Sequence, residues 1–163
     1  CIGKYKIYMC MRGTSTLLDK WDQRWLDIAG QVSSWSKDPS TKIGAIAVKD
    51  KRLVATGYNG FPRGIEDTDD RWNNREEKYM YVIHAEMNCI YNANYHHQSL
   101  KGATMYIVGL PVCHECAKGI IQAGVSRVVA TFAPLDSVPM KWLESNAITE
   151  KMFKEAGVIY DKV

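Results

Sequence analysis

Apolar residues recur three or four apart through Leu18, Trp21, Trp25, Ile28, Ala29 and Val32, which predicts an amphipathic helix. Thr16 stands where a cap belongs, with Asp19 three residues on. Asp38-Pro39 marks the far limit, because proline drives its predecessor out of helical backbone. Period-two alternation then takes over: Ile43–Val48 and Leu53–Tyr58 read as two strands of a hairpin around Lys49-Asp50-Lys51. From Asn59 to Lys78 the apolar rhythm stops. NGFPRG opens this stretch with turn residues and DTDDR and REEK crowd it with charge, so the pattern predicts a long solvated loop of a length that often carries function. A helix follows from near His84 to about Asn94, with Ile83, Met87, Ile90 and Tyr91 on one face. Thr104–Val108 is a strand, Cys116–Ala123 a helix closed by Gly124, and Val125–Phe132 another strand. Lys141–Ala156 reads as the last helix, stopped by Gly157, with Val158-Ile159-Tyr160 a short edge strand.

This order, one helix, a hairpin, then helices alternating with strands, predicts an α/β fold: a three-layer α/β/α sandwich on a mixed five-stranded sheet. Its first strand pair is antiparallel and the rest are joined by helical crossovers. Residues 17–163 suffice for a single domain, with no internal repeat or linker. Residues 1–16 are read as an added or flexible N-terminal segment, with Met9 or Met11 as the native start, because the chain opens on Cys1.

Composition narrows the class. With 46% apolar and 24% charged residues and a net charge of +3, the chain carries an ordinary globular core and no broad basic field for nucleic acid. Neither a bilayer-spanning apolar run nor a signal-peptide pattern is visible, so a cytoplasmic setting away from membranes is expected. In that setting the five cysteines are read as thiols with metal or catalytic use.

Two segments carry the chemistry, His84-Ala85-Glu86 and Pro111-Val112-Cys113-His114-Glu115-Cys116. Two thiolates and an imidazole suit Zn2+, and three protein ligands leave the fourth tetrahedral position for water, as in catalytic sites. Cys113 and Cys116 stand three apart at a helix start, on one face, where the helix dipole favours the thiolate. His84 and Glu86, two apart, would diverge inside a regular helix, so the motif requires the helix to begin close to His84. Zinc lowers the pKa of its water from 15.7 towards ~7 and so supplies hydroxide. Glu86, not a ligand, would shuttle protons to the ring nitrogen and the leaving ammonia. Two other readings stay open: a redox CxxC, and a structural zinc site closed by a fourth ligand from His96, His97 or His114.

H-x-E followed by P-C-x-x-C is the signature of zinc nucleobase deaminases. Beyond that signature, SKDPSTKIGAIAV, GYNGFPRG, KYMYVIHAEMNCI and CHECAKGIIQAGVSRVV, within residues 36–132, resemble the deoxycytidylate (dCMP) deaminase family. The resemblance implies a cytidine deaminase-like fold and hydrolysis of dCMP to dUMP and ammonia, feeding thymidylate synthesis in pyrimidine nucleotide biosynthesis. It implies zinc on His84, Cys113 and Cys116, Glu86 as proton shuttle, Asn59 against the sugar and the Ala85 backbone against the base. It further implies a homo-oligomer, a hexamer first, with dCTP activating and dTTP inhibiting, assisted by Mg2+, near Gly60, Phe61, Pro62, Arg63 and Gly64. That segment reads equally as a plain turn. The family places proline directly before the first cysteine, whereas Val112 intervenes here, so the carbonyl that receives the substrate amine is assigned to Val112. Arg63, Arg71, Arg75, Lys78 and Arg127 are the phosphate candidates, and Cys89 is read as core. A polynucleotide editor, a riboflavin-pathway or guanine deaminase, and a non-catalytic zinc module are the competing classes. The last of these would carry four protein ligands.

Overall fold

A computed structural model describes residues 18–163. Helix α1 (Lys20–Ser33) is capped by Asp19, whose carboxylate accepts the N–H groups of Trp21 and Asp22, while Asp22 reaches back to the Asp19 N–H. The expected cap, Thr16, lies outside the described residues. The helix closes at Ser33, ahead of Asp38-Pro39, where the Ser34, Trp35 and Ser36 N–H groups turn to carbonyls three residues back, and Asp38 then accepts the Ser40 and Thr41 N–H groups.

Strands β1 (Gly44–Lys49) and β2 (Arg52–Tyr58) form the hairpin, turning on Asp50 and Lys51, both at positive φ. The stretch after Asn59 is not one long loop. It holds two short helices, α2 (Asp69–Asn73), capped by Thr68, and α3 (Arg75–Tyr81), capped by Asn74. Each carries acidic residues in its first turn, where the helix dipole favours them. Trp72 anchors the pair by stacking on Phe61 at 4.2 Å. Next come α4 (Ala85–Tyr95), β3 (Thr104–Gly109), α5 (His114–Gln122), β4 (Arg127–Phe132), a 3-10 turn, α6 (Met140–Ala156) and β5 (Ile159–Lys162). Gly157, at φ 72°, ends α6 in the left-handed conformation that glycine adopts without strain. On α4 the buried face is Ala85, Glu86, Cys89 and Ala93 and not the expected one: Met87 and Ile90 are only partly buried against the core and Tyr91 is exposed.

The sheet order is β2-β1-β3-β4-β5, antiparallel up to β3 and parallel beyond it. Alternate residues feed two cores. Ile46, Val48, Tyr106 and Val129 meet Leu26, Ala29 and Val32 of α1 on one face. Ala45, Ala47, Met105, Ile107, Val128 and Ala130 meet α4, α5 and α6 on the other. The result is the expected three-layer α/β/α sandwich on a mixed five-stranded sheet. In the ladder Gly44 pairs with both Tyr58 and Val108, so Ile43, Asn59 and Leu110 emerge together at one end of the sheet. This is the carboxyl end of the parallel strands, where open α/β sheets bind ligands. Among the described residues no helix is long and apolar enough to cross a membrane.

Candidate active site

His84 is the N-cap of α4, in extended backbone (φ −65°, ψ 152°), and Cys113 occupies the same position on α5 (φ −80°, ψ 157°). Both helices therefore open onto one point at the sheet end. The cap geometry resolves the i, i+2 problem: His84 has not entered the helix, so it and Glu86 can face the same cavity. The His84 Nδ1 lies 3.5 Å from Cys113 Sγ and 3.4 Å from Cys116 Sγ, and the three ligand atoms all sit within 4.8 Å of one another.

Tetrahedral zinc with Zn–S of about 2.3 Å and Zn–N of about 2.0–2.1 Å requires sulfur-to-nitrogen separations of about 3.6 Å. The side chains meet that requirement as they stand, so the residues fit the ion. His96 and His97 follow the far end of α4, roughly 16 Å away along an eleven-residue helix. His114 Nδ1 is 2.7 Å from Ser145 Oγ. Among the described residues the metal-competent group is His84, Cys113 and Cys116 alone. That favours three protein ligands and an open fourth position over a closed structural site, and a histidine bridging both sulfurs is superfluous to a redox pair.

Electrostatics of the cluster follow from its crowding. A hydrogen bond from Cys116 and a further one from His84 pull the Cys113 thiol down to about 4, against the effect of burial. Cys116, the donor of the first of these bonds and itself buried, is pushed up. His84 is raised by its hydrogen bond to Cys113. Glu86, 4% exposed, has its carboxyl raised by burial. Metal binding at such a set displaces its protons. Cys89, pushed up to about 12 by burial, is an inert core thiol as expected.

The cavity touching His84, Glu86 and Cys113 has apolar walls from Ile43, Val82, Leu110 and Trp142, the Trp142 ring lying 6.0 Å from that of His84. Asp38, Ser40, Thr41 and Asn59 form a polar edge. Asn59 reaches the cavity, though its side chain is held by the fold. Its Oδ1 accepts the Ile43 N–H (2.8 Å), and its Nδ2 donates to Thr41 O (2.9 Å) and to Asp38. Ala85 is wholly buried at the first turn of α4.

Val112, expected to offer its carbonyl at the site, is not among the residues lining the cavity. It is 0% exposed and its carbonyl accepts from Asn146 (3.1 Å) and Thr149 (2.9 Å), so the cavity instead meets Leu110 and Pro111. Of the phosphate candidates, Arg127 lies at the opposite end of the sheet, level with Thr104, and is locked on Asp22 and Asp161. Arg71 pairs with Glu77, and Arg63 bonds Asn92 and covers the Tyr95 ring. Arg75 lies over the Tyr79 ring, while Lys78 lines the cavity, 3.2 Å from Asp38. Trp142, Tyr79, Asp38 and Thr41 escape sequence reading, since nothing in their local pattern separates them from surface or turn residues. In the segment Gly60–Gly64, Gly60 is bridged to Ile83, next to His84, and Phe61 stacks on Trp72. Pro62 O accepts the Ile65 N–H, closing a turn around Arg63 and Gly64.

Comparison with known proteins agrees with this geometry. The family model for the cytidine and deoxycytidylate deaminase zinc-binding region matches residues 19–132, and the chain belongs to that family. Within the family it sides with the deoxycytidylate deaminases: the mouse deoxycytidylate deaminase is 37% identical over 151 residues, 88% of this chain and 79% of that protein. An uncharacterized deaminase in the luxG 3′ region of Aliivibrio fischeri is 39% identical over 142 residues, 87% of this chain and 92% of its own length. In fold, a dCMP deaminase from the cyanophage S-TIM5, solved with dCMP and dUMP, superposes with a TM-score of 0.70 at 24% identity, covering 90% of this chain and 99% of that one.

Proposed function

We propose that this chain hydrolyses dCMP to dUMP and ammonia at the His84, Cys113, Cys116 and Glu86 cluster. The observation that carries the reading is Glu86, a buried carboxyl on the cavity wall beside a three-ligand zinc set. A zinc ion held by His84, Cys113 and Cys116 would supply Lewis acidity and a water that ionises near neutral pH. Glu86 would take a proton from the attacking water and pass it to the ring nitrogen beside the reacting carbon, then take the proton of the hydroxyl so added and deliver it to the amino group, which leaves as ammonia. Burial suits it to that traffic, since a raised carboxyl pKa makes holding a proton less costly.

The flat apolar walls suit a heteroaromatic ring, and the polar edge bearing Asn59 suits its sugar. The Ala85 backbone is assigned to the base. At the rim Lys141 lies 5.5 Å from the Tyr79 ring and 4.9 Å from the Trp142 ring, while Lys78, buried on the cavity wall, is paired with Asp38. The Lys141 ammonium beside two rings that line the cavity favours a monophosphate over a bare nucleoside.

Regulation by dCTP (activating) and dTTP (inhibiting), with Mg2+, is assigned to Gly60, Phe61, Pro62, Arg63 and Gly64, in a hexamer of identical chains. What supports it is proximity: the Gly60–Ile83 bridge joins this segment to the residue before His84. Ammonia release from a panel of cytosine and adenine nucleotides tests the substrate. We expect dCMP to be the preferred member, with dCTP and dTTP moving its saturation curve in opposite directions. Preference for RNA or for an adenine nucleotide would overturn the substrate, and an unmoved curve would overturn the regulation.

A further inference from the structure

Ser145, Asn146 and Thr149 are polar, share one face of α6, and are buried to 8%, 5% and 0% exposure. Burying such groups is costly unless they are hydrogen-bonded. Their partners lie mostly in the loop that presents Cys113. Thr149 Oγ1 donates to Val112 O (2.9 Å) and Asn146 Nδ2 donates to the same oxygen (3.1 Å). Ser145 Oγ accepts the His114 N–H (2.9 Å) and lies 2.7 Å from His114 Nδ1. Tyr160 completes the set: its hydroxyl accepts the Val112 N–H (3.4 Å) and an Asn146 Nδ2 hydrogen (3.0 Å).

We propose that this polar stripe of α6, with Tyr160, is a clamp that fixes the peptide units on both sides of Cys113 and so aims its sulfur at the metal. The proposal rests on the zinc reading above. Val112 C=O belongs to the peptide preceding Cys113, and His114 N–H to the peptide following it. Turning Cys113 about either backbone bond therefore breaks a bond to α6. Its φ of −80° and ψ of 157° are held from outside the loop, as well as by the Ala117 N–H donated to Cys113 O. The residue between Pro111 and Cys113 is what the clamp grips: Val112 is the loop residue with both backbone polar groups bonded to α6 or Tyr160. The same helix places Trp142 against His84, so α6 supports two of the three ligands without supplying one. These are positioning residues.

The test uses the zinc-loaded full chain and reads metal affinity by competition with a chromogenic chelator, alongside the visible spectrum of the cobalt-substituted protein. Thr149→Val keeps the shape and removes the donor. It should weaken zinc binding about tenfold to a hundredfold, the range seen when groups that orient metal ligands are lost, and shift the cobalt–thiolate bands. Thr149→Ser should restore both. Ser145→Ala, which strips the His114 N–H of its partner, should act in the same direction. Unchanged affinity and spectrum in Thr149→Val and Ser145→Ala would overturn the clamp, as would a lowered unfolding temperature with both readouts intact. A wild-type chain that takes up no stoichiometric zinc would overturn the zinc reading itself, a distinct result.

Discussion

A glutamate in the first turn of a helix is ordinarily a solvated residue that complements the dipole. Glu86 instead lies 4% exposed beside two sulfurs and an imidazole with its carboxyl raised by burial, which supports the proton-transfer role proposed for it. Replacing it by glutamine keeps the size and removes the base. Glu86→Gln should lower kcat for dCMP by about a thousandfold, within the range of general acid–base catalysis, with zinc content by metal analysis unchanged. At the rim, Lys141→Met should reduce the ratio of kcat/KM for dCMP to that for deoxycytidine by about tenfold, the scale of one charge-assisted hydrogen bond, and an unaltered ratio would place the phosphate elsewhere. His84-x-Glu86 and Cys113-x-x-Cys116 are each legible as local spacings, though His84 stands 29 and 32 positions from the two cysteines and only the fold brings them together. Residues whose meaning depends on distant partners are not legible. Arg127 reads in sequence as a free cation but lies on Asp22, 105 positions earlier, and the Val112 carbonyl reads as available but accepts from Asn146, 34 positions later.

Among the elements, α4 is set by a close approach to β2 that only glycine permits. A Cβ on Gly57 would lie 2.2 Å from Cys89 N and 2.4 Å from Ala85 O, both backbone atoms that cannot step aside. Gly57→Ala should cost about 3 kcal/mol of stability, at the upper end for overpacking, measured by denaturant unfolding. It should also weaken zinc binding, because α4 carries His84 at its cap; a stable variant of normal zinc affinity would contradict this reading of the contact. Strands and long helices were legible from periodicity, and the requirement that α4 start at His84 followed from the HxE spacing alone. Helices α2 and α3 were not, since five and seven residues are too short to show an apolar stripe. Their caps, Thr68 and Asn74, were in plain view and were the signal to follow.

Across the whole molecule, the end of the sheet remote from the site is tied together by charge. Arg127 meets Asp22 through two hydrogen bonds (2.7 and 2.9 Å) and Asp161 through a third, and Tyr106 donates to Asp22 at 2.8 Å, joining α1, β3, β4 and β5. Burial alone would raise the Asp22 pKa, but the hydrogen bonds from Arg127 and Tyr106 outweigh it and hold the carboxyl below its ordinary 3.8. Its contribution to stability is therefore complete above about pH 4 and is lost as pH falls through the folded value. Asp22→Asn should lower stability at neutral pH by about 3 kcal/mol, as breaking a buried pair does, and flatten the acid limb of a plot of unfolding midpoint against pH. The layer order and strand directions were legible from the succession of elements, because a crossover helix forces its flanking strands to run parallel. The cavity was not legible, since its walls come from five separate stretches of chain. The proposed dCMP hydrolysis requires one zinc per chain, which the His84, Cys113 and Cys116 cluster at the sheet end would hold. The most direct test is dCMP turnover followed while chelator-stripped protein is titrated with zinc. Activity should start from nothing and rise in proportion to zinc up to one equivalent per chain. Turnover by the zinc-free protein, or a fully loaded protein that leaves dCMP untouched, would contradict the account.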